Sequence, residues 1–250
     1  MRSARTNWAL TPPPQPGQLP LTRAQILTAE RLWGGKNNRD AWQSQWEAIS
    51  TIADDLWNTP SADTRQIQRL WVTLVYAIGN FKRQGNTVIF PLPAPWSFGP
   101  RSSAVRRGPT LTIPAGGGDL KISSTASTLR LAGTRGLGSV PTASTVLTAL
   151  WPKQHVICDK RDFQVAVALL AHNGASIISA ANARTHLLAP DWAEYKWFHQ
   201  LLTSEAKRLR LSSPLILERA LFVAYGFVPP SSVKSLTWAQ WGRCLVANWP

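Results

Sequence analysis

Residues Leu129–Leu169, LRLAGTRGLGSVPTASTVLTALWPKQHVICDKRDFQVAVAL, decide how this chain reads. The stretch opens on the end of a short run expected to be helical, Ser124–Leu131, and then reaches Gly133-Thr134-Arg135-Gly136-Leu137-Gly138. Glycines at that density let the backbone turn tightly and approach a ligand closely. A small-residue helix is expected next, Pro141–Leu150. Backbone N–H groups between two such helices, and at the second helix's N-terminus, suit a phosphate; an ordinary helix–helix turn has the same appearance. After Trp151-Pro152 comes the apolar run His155-Val156-Ile157-Cys158, which ends in Asp159 at the start of a further helix, about Lys160–Ala171. Asp159 is therefore either the N-cap of that helix or a placed carboxylate. Asp162 is a second carboxylate one turn on, expected at the solvated surface. His155 is read as structural or surface, with a place near the site as the alternative.

Working outward, helical patterning dominates. Thr22 and Gln25 form a capping-box pattern ahead of Ile26, Ala29, Leu32 and Trp33, with Gly34-Gly35 as the stop. Trp42, Trp46, Ile49, Ala53 and Leu56 mark a helix over about 39–57. Ile67, Leu70, Trp71, Leu74, Ile78 and Phe81 mark another over about 62–83. On the C-terminal side a long helix is expected from Asp191 with Glu194 at the capping-box position. Ser213-Pro214 opens another that Gly226 is expected to stop, and a last helix covers about 235–247. Residues 86–120 differ: six prolines and Gly116-Gly117-Gly118 exclude a regular helix, and only Val88-Ile89-Phe90 suggests a short strand. The expected class is all-α. Its regions are a basic Pro-rich arm (1–20), an N-terminal helical region (21–85), a Pro/Gly/Arg-rich loop or linker (86–120) and a helical region with the hairpin and the carboxylate (121–250).

Composition points to a polyanionic partner. The 250 residues carry 27 Lys and Arg against 13 Asp and Glu, a net charge of +14. Self-repulsion on that scale opposes compaction, and counterion release from phosphates offsets it in a nucleic-acid complex. No apolar run reaches the length of a membrane span, and the N-terminus has no apolar core of a signal peptide. Two cysteines, Cys158 and Cys244, cannot build a four-thiolate metal site and are expected as free thiols in a reducing cytoplasm. Metal-protease, P-loop and Gly-x-Ser-x-Gly patterns are absent. Thirteen tryptophans are many for this length; at helical spacing they read first as core.

The order of hairpin, small-residue helix, proline turn, apolar run, Asp and helix resembles the helix-hairpin-helix DNA glycosylase superfamily. The likeness is most specific over about 125–170. It extends more loosely through DWAEYKWFHQLL (191–202) and LERALFVAYG (217–226), which look like a divergent bacterial branch. It implies two helical lobes joined by the Pro/Gly-rich segment, and an Asp that serves both as helix start and in catalysis. Two departures matter. The hairpin is one residue longer before Ala143 than the family pattern. The position where bifunctional members carry a nucleophilic lysine falls on Val140 or Pro141, and neither forms a Schiff base.

The resemblance thus implies a monofunctional DNA N-glycosylase without lyase activity, metal or cofactor, acting as a cytoplasmic monomer on double-stranded DNA. Asp159 would stabilise positive charge on the sugar and direct water. Arg135, Gly136, Gly138, Ser139, Lys153, Lys160 and Arg161 would contact DNA. Base flipping needs a wedge and an aromatic pocket, for which Trp33, Trp96, Trp151, Trp197 and His155 are candidates. A bulky modified base, as in defence against phage, is one expected target; an oxidised or alkylated base is another. The competing expectations are a non-enzymatic helix-hairpin-helix DNA-binding protein and a basic RNA-binding protein.

Overall fold

The computed structural model describes residues 19–33, 39–60, 62–82, 110–112, 121–124, 127–130, 140–174, 192–228 and 236–250. Among them are eight helices: α1 (Arg23–Glu30), α2 (Arg39–Asn58), α3 (Thr64–Phe81), α4 (Val140–Leu150), α5 (Lys160–His172), α6 (Trp192–Arg208), α7 (Pro214–Phe227) and α8 (Trp238–Ala247). Three short strands, β1 (Thr110–Thr112), β2 (Lys121–Ser124) and β3 (Ser127–Arg130), stand between α3 and α4. The chain is therefore helical in class, with one small antiparallel sheet in the order β1-β2-β3.

The sheet corrects the expected helix at Ser124–Leu131. Ser and Thr supply four of the eight residues in β2 and β3, and such residues compete with helical hydrogen bonds. Ile122 pairs with Leu111 on one side and Leu129 on the other, so an apolar row crosses all three strands. Within the expected 86–120 loop, Thr110–Thr112 is strand. Val88-Ile89-Phe90 lies outside the described residues.

Two compact units divide the chain, and they interleave in sequence: one holds α2–α4 and the sheet, the other α1 and α5–α8. The expected regions ran in order as 21–85 and 121–250. Instead α1 joins the C-terminal helices and α4 joins α2 and α3.

In the first unit α2 packs on α3, and α4 packs on both. Trp46, Ile49, Ala53 and Leu56 on α2 and Ile67, Trp71, Leu74 and Ile78 on α3 are buried, as their helical spacing requires. Val140 and the nine residues Thr142–Leu150 of α4 are all buried. Three of its hydroxyls are satisfied within the helix: Ser144 Oγ donates to Pro141 O at 3.1 Å, Thr145 Oγ1 to Pro141 O at 2.8 Å and Thr148 Oγ1 to Ser144 O at 2.8 Å. Small side chains with internally satisfied hydroxyls are what allow a helix to be enclosed on every side. Trp57 on α2 donates its indole N–H to Leu150 O at 2.9 Å, satisfying a carbonyl at the end of α4.

In the second unit α5 is central, packing against α7 and α8, while α1 and α6 pack on α7. The capping box at Thr22 and Gln25 forms as expected, and Thr237 and Gln240 make a second one at α8. Ser213 caps α7 by accepting from Leu215 N, with Pro214 in the first turn. Gly226 does not end α7: the helix continues to Phe227 and Val228 is its C-cap. Indole N–H groups pin distant segments, Trp241 to Val228 O in the core and the part-buried Trp249 to Gln25 O. Glu205, fully buried on α6, accepts from Arg208 Nε at 2.8 Å and Nη2 at 2.6 Å. Arg208 Nη2 also donates to Leu19 O and Leu21 O, fixing the chain ahead of α1.

Candidate functional site

Asp159 stands at the N-terminus of α5, half-buried, with extended backbone (φ −88°, ψ 160°). Its Oδ1 accepts the backbone N–H of Arg161 at 3.3 Å, so the capping role read from the sequence is realised. The cause is local: a β-region residue before a helix turns its short carboxylate back onto amides that have no intrahelical acceptor, and the helix N-terminus favours negative charge.

The cations beside it come from the same turn. Lys160 and Arg161 are exposed. The Arg161 guanidinium lies 5.4 Å from the Phe222 ring centroid and 5.8 Å from that of Tyr225, both on α7. A guanidinium stacked on aromatic faces keeps its N–H edge for an anion, so the rings orient the cation without neutralising it. Phe222 and Tyr225 went unnoticed in the sequence. Their i, i+3 spacing in LERALFVAYG was the available signal, but nothing in it names the arginine they hold.

Asp162 corrects another expectation. It is fully buried, not solvated, and its Oδ1 accepts from Phe163 N at 2.9 Å. Enclosure of α5 by α7 and α8 removes the surface that a first-turn carboxylate normally faces.

The aromatic candidates Trp33, Trp151, Trp197 and His155 are packed in core. Trp33 is buried under the Arg219 guanidinium, 4.1 Å from its ring centroid, and Arg219 bridges to Glu30 at 3.3 Å. Trp197 is buried edge-on to Phe163. In the other unit, Trp151 is buried against Trp57 at 5.4 Å and His155 at 6.2 Å, both edge-on. His155 is buried, in line with its structural reading. The Trp151 indole N–H has no hydrogen-bond acceptor among the described residues. Lys153 is exposed in the turn that follows α4. Arg135, Gly136, Gly138, Ser139 and Trp96 lie outside the described residues.

Val140 and Pro141 lie in the first turn of α4, and neither side chain carries an amine. Cys158, buried, and Cys244 are free thiols. Among the described residues no group of three or more His, Cys, Asp or Glu could hold a metal ion, and no helix is long and apolar enough to cross a membrane. No family model, curated protein or solved structure matches the chain.

Proposed function

We propose that the chain is a monofunctional DNA N-glycosylase that excises a modified or damaged base from double-stranded DNA, with Asp159 as its carboxylate. The observation that carries this reading is the setting of Asp159. A half-buried carboxylate ends a buried run, His155–Cys158, and is followed at once by two exposed cations, one of them stacked on Phe222 and Tyr225. Breaking an N-glycosidic bond builds positive charge on the sugar. A fixed carboxylate beside that sugar stabilises the charge and orients or deprotonates the attacking water. Lys160 and the N–H edge of Arg161 hold flanking phosphates, which position the strand. Water is the nucleophile, in keeping with Val140 and Pro141 at the family's lysine position.

The test is incubation of the purified protein with duplexes carrying a panel of oxidised, alkylated and glucosylated bases, followed by alkali. Strand breaks that require alkali are expected for one class of base. Breaks without alkali would mean lyase activity and contradict the mechanism.

A second reading, a non-enzymatic DNA-binding protein, is favoured by two observations. The Arg161 N–H bond gives Asp159 a sufficient structural role as an N-cap, and β2 and β3 stand where the resemblance places the helix before the hairpin. Under that reading Asp159→Asn leaves DNA binding and function intact, and no base is released from any duplex.

A further inference from the structure

We infer that the exposed face of α3 is a binding surface for unpaired DNA, in which Arg65 and Arg69 take backbone phosphates and the Tyr76 ring stacks on a base. It rests on the DNA partner proposed above but not on catalysis by Asp159.

The helix presents two opposed faces. Ile67, Trp71, Leu74, Val75 and Ile78 are buried toward α2 and α4. Arg65, Arg69, Thr73, Tyr76 and Asn80 are exposed, and at 100° per residue they fall within an arc of about 80° on the opposite side. Tyr76 is 57% exposed, one of two large apolar side chains left in solvent among the described residues. Neither arginine has an ion pair among the described residues. The capping carboxylate at this end, Asp63, is turned onto the backbone N–H of Gln66 at 3.0 Å.

Charge selects the partner. From Thr64 to Cys158 the chain has eleven Lys and Arg and a single acid, Asp119. A helix face bearing cations and no acid, within so one-sided a segment, complements a polyanion. Geometry selects the form. A rise of 1.5 Å per residue sets Arg69 about 6 Å beyond Arg65 along the helix, and Tyr76 about 10 Å further. That is a short track of cations ending in an aromatic platform, the combination by which single strands are held. A base paired in a duplex offers no face for the tyrosine.

The experiment is fluorescence anisotropy of the full chain with a labelled single-stranded oligodeoxynucleotide, its duplex and the matching RNA strand, over a range of salt. Arg65→Gln/Arg69→Gln is expected to make the single-strand salt dependence shallower by about 1.4 in log–log slope, from about 0.7 per phosphate. Tyr76→Ala is expected to weaken single-strand binding roughly five- to 150-fold, and Tyr76→Phe to preserve it. Asp159→Asn is expected to bind the single strand as the wild type does, which separates this surface from the excision chemistry. Arg65, Arg69 and Tyr76 are exposed, and matched thermal melts of all the variants confirm folding. Failure of the wild type to bind the single strand would overturn the inference. So would an unchanged Kd in Tyr76→Ala, an equal loss on duplex, or tighter binding of the RNA strand.

Discussion

Gly242 on α8 lies close against Ala168 and His172 on α5, and substitution there tests the packing of the second unit. A Cβ at this position would lie 2.0 Å from Ala168 O, 2.7 Å from Ala168 C and 2.7 Å from His172 Cβ. Ordinary carbon–oxygen contacts begin near ~3.3 Å, so Gly242→Ala requires the helices to separate by roughly 1 Å. The obstruction is mainly backbone, which no rotamer change relieves. Overpacking of this kind costs about 1–3 kcal/mol, and separation also loosens Trp241, fully buried one residue away. Opposing it is the helix preference of Ala over Gly, about 1 kcal/mol. Because the obstruction is backbone, the cost falls at the upper end of that range, and the expected net loss is about 2 kcal/mol. Gly226 on α7 is the internal control: nothing lies within 4 Å of its added Cβ. Gly226→Ala is expected to stabilise by about 0.5 kcal/mol, reduced from the mid-helix value because it sits in the last turn. Urea unfolding followed by circular dichroism reads both, with opposite shifts in midpoint at constant m-value. A Gly242→Ala protein as stable as the wild type would refute the close approach of α5 and α8.

Two smaller perturbations follow from hydrogen bonds and backbone geometry. Trp57 and Trp151 pack edge-on, but among the described residues only the Trp57 indole N–H of the two has an acceptor, Leu150 O. In urea titrations Trp57→Phe should cost about 1 kcal/mol more than Trp151→Phe, the worth of one hydrogen bond with its orphaned carbonyl; equal losses would contradict the bond. Arg210 has φ +53° after α6, with Leu211 N donating to Ala206 O and Arg210 N to Lys207 O, the Schellman arrangement that favours glycine. Arg210→Gly should raise the melting temperature, by relief of about 1 kcal/mol of backbone strain, and a lower one would argue against the left-handed turn.

What the sequence revealed was local. The capping box at Thr22 and Gln25, the Ser213-Pro214 helix start and the apolar stripes of α2 and α3 each depend on residues within one or two turns, so spacing alone carries them. The sheet was illegible because β2 depends on Thr110–Thr112, ten residues upstream, for one of its partners. Gly226 misled because glycine in a helix end is a frequent stop but not an obligatory one; Val228 takes the cap instead. Asp162 misled for a tertiary reason: only the enclosure of α5 makes a first-turn carboxylate buried. The pairing of α1 with α7 is likewise a contact between distant segments. At the candidate site the cap at Asp159 was readable from one turn of sequence, whereas the seat of Arg161 on Phe222 and Tyr225 required α5 and α7 to be brought together.

The most direct test of Asp159 chemistry is single-turnover release of the excised base, measured for the wild type and Asp159→Asn on whichever duplex the panel identifies. Asn caps a helix about as well as Asp, so the variant should match the wild type in stability to within about 0.5 kcal/mol while lacking the charge. Asp159→Ala, which loses the cap as well, should cost about 1 kcal/mol of stability. The expected result is a stably folded Asp159→Asn protein that still binds the duplex but releases the base on the order of 10²–10⁴-fold more slowly. Release at the wild-type rate would contradict the account and leave Asp159 as a helix cap alone.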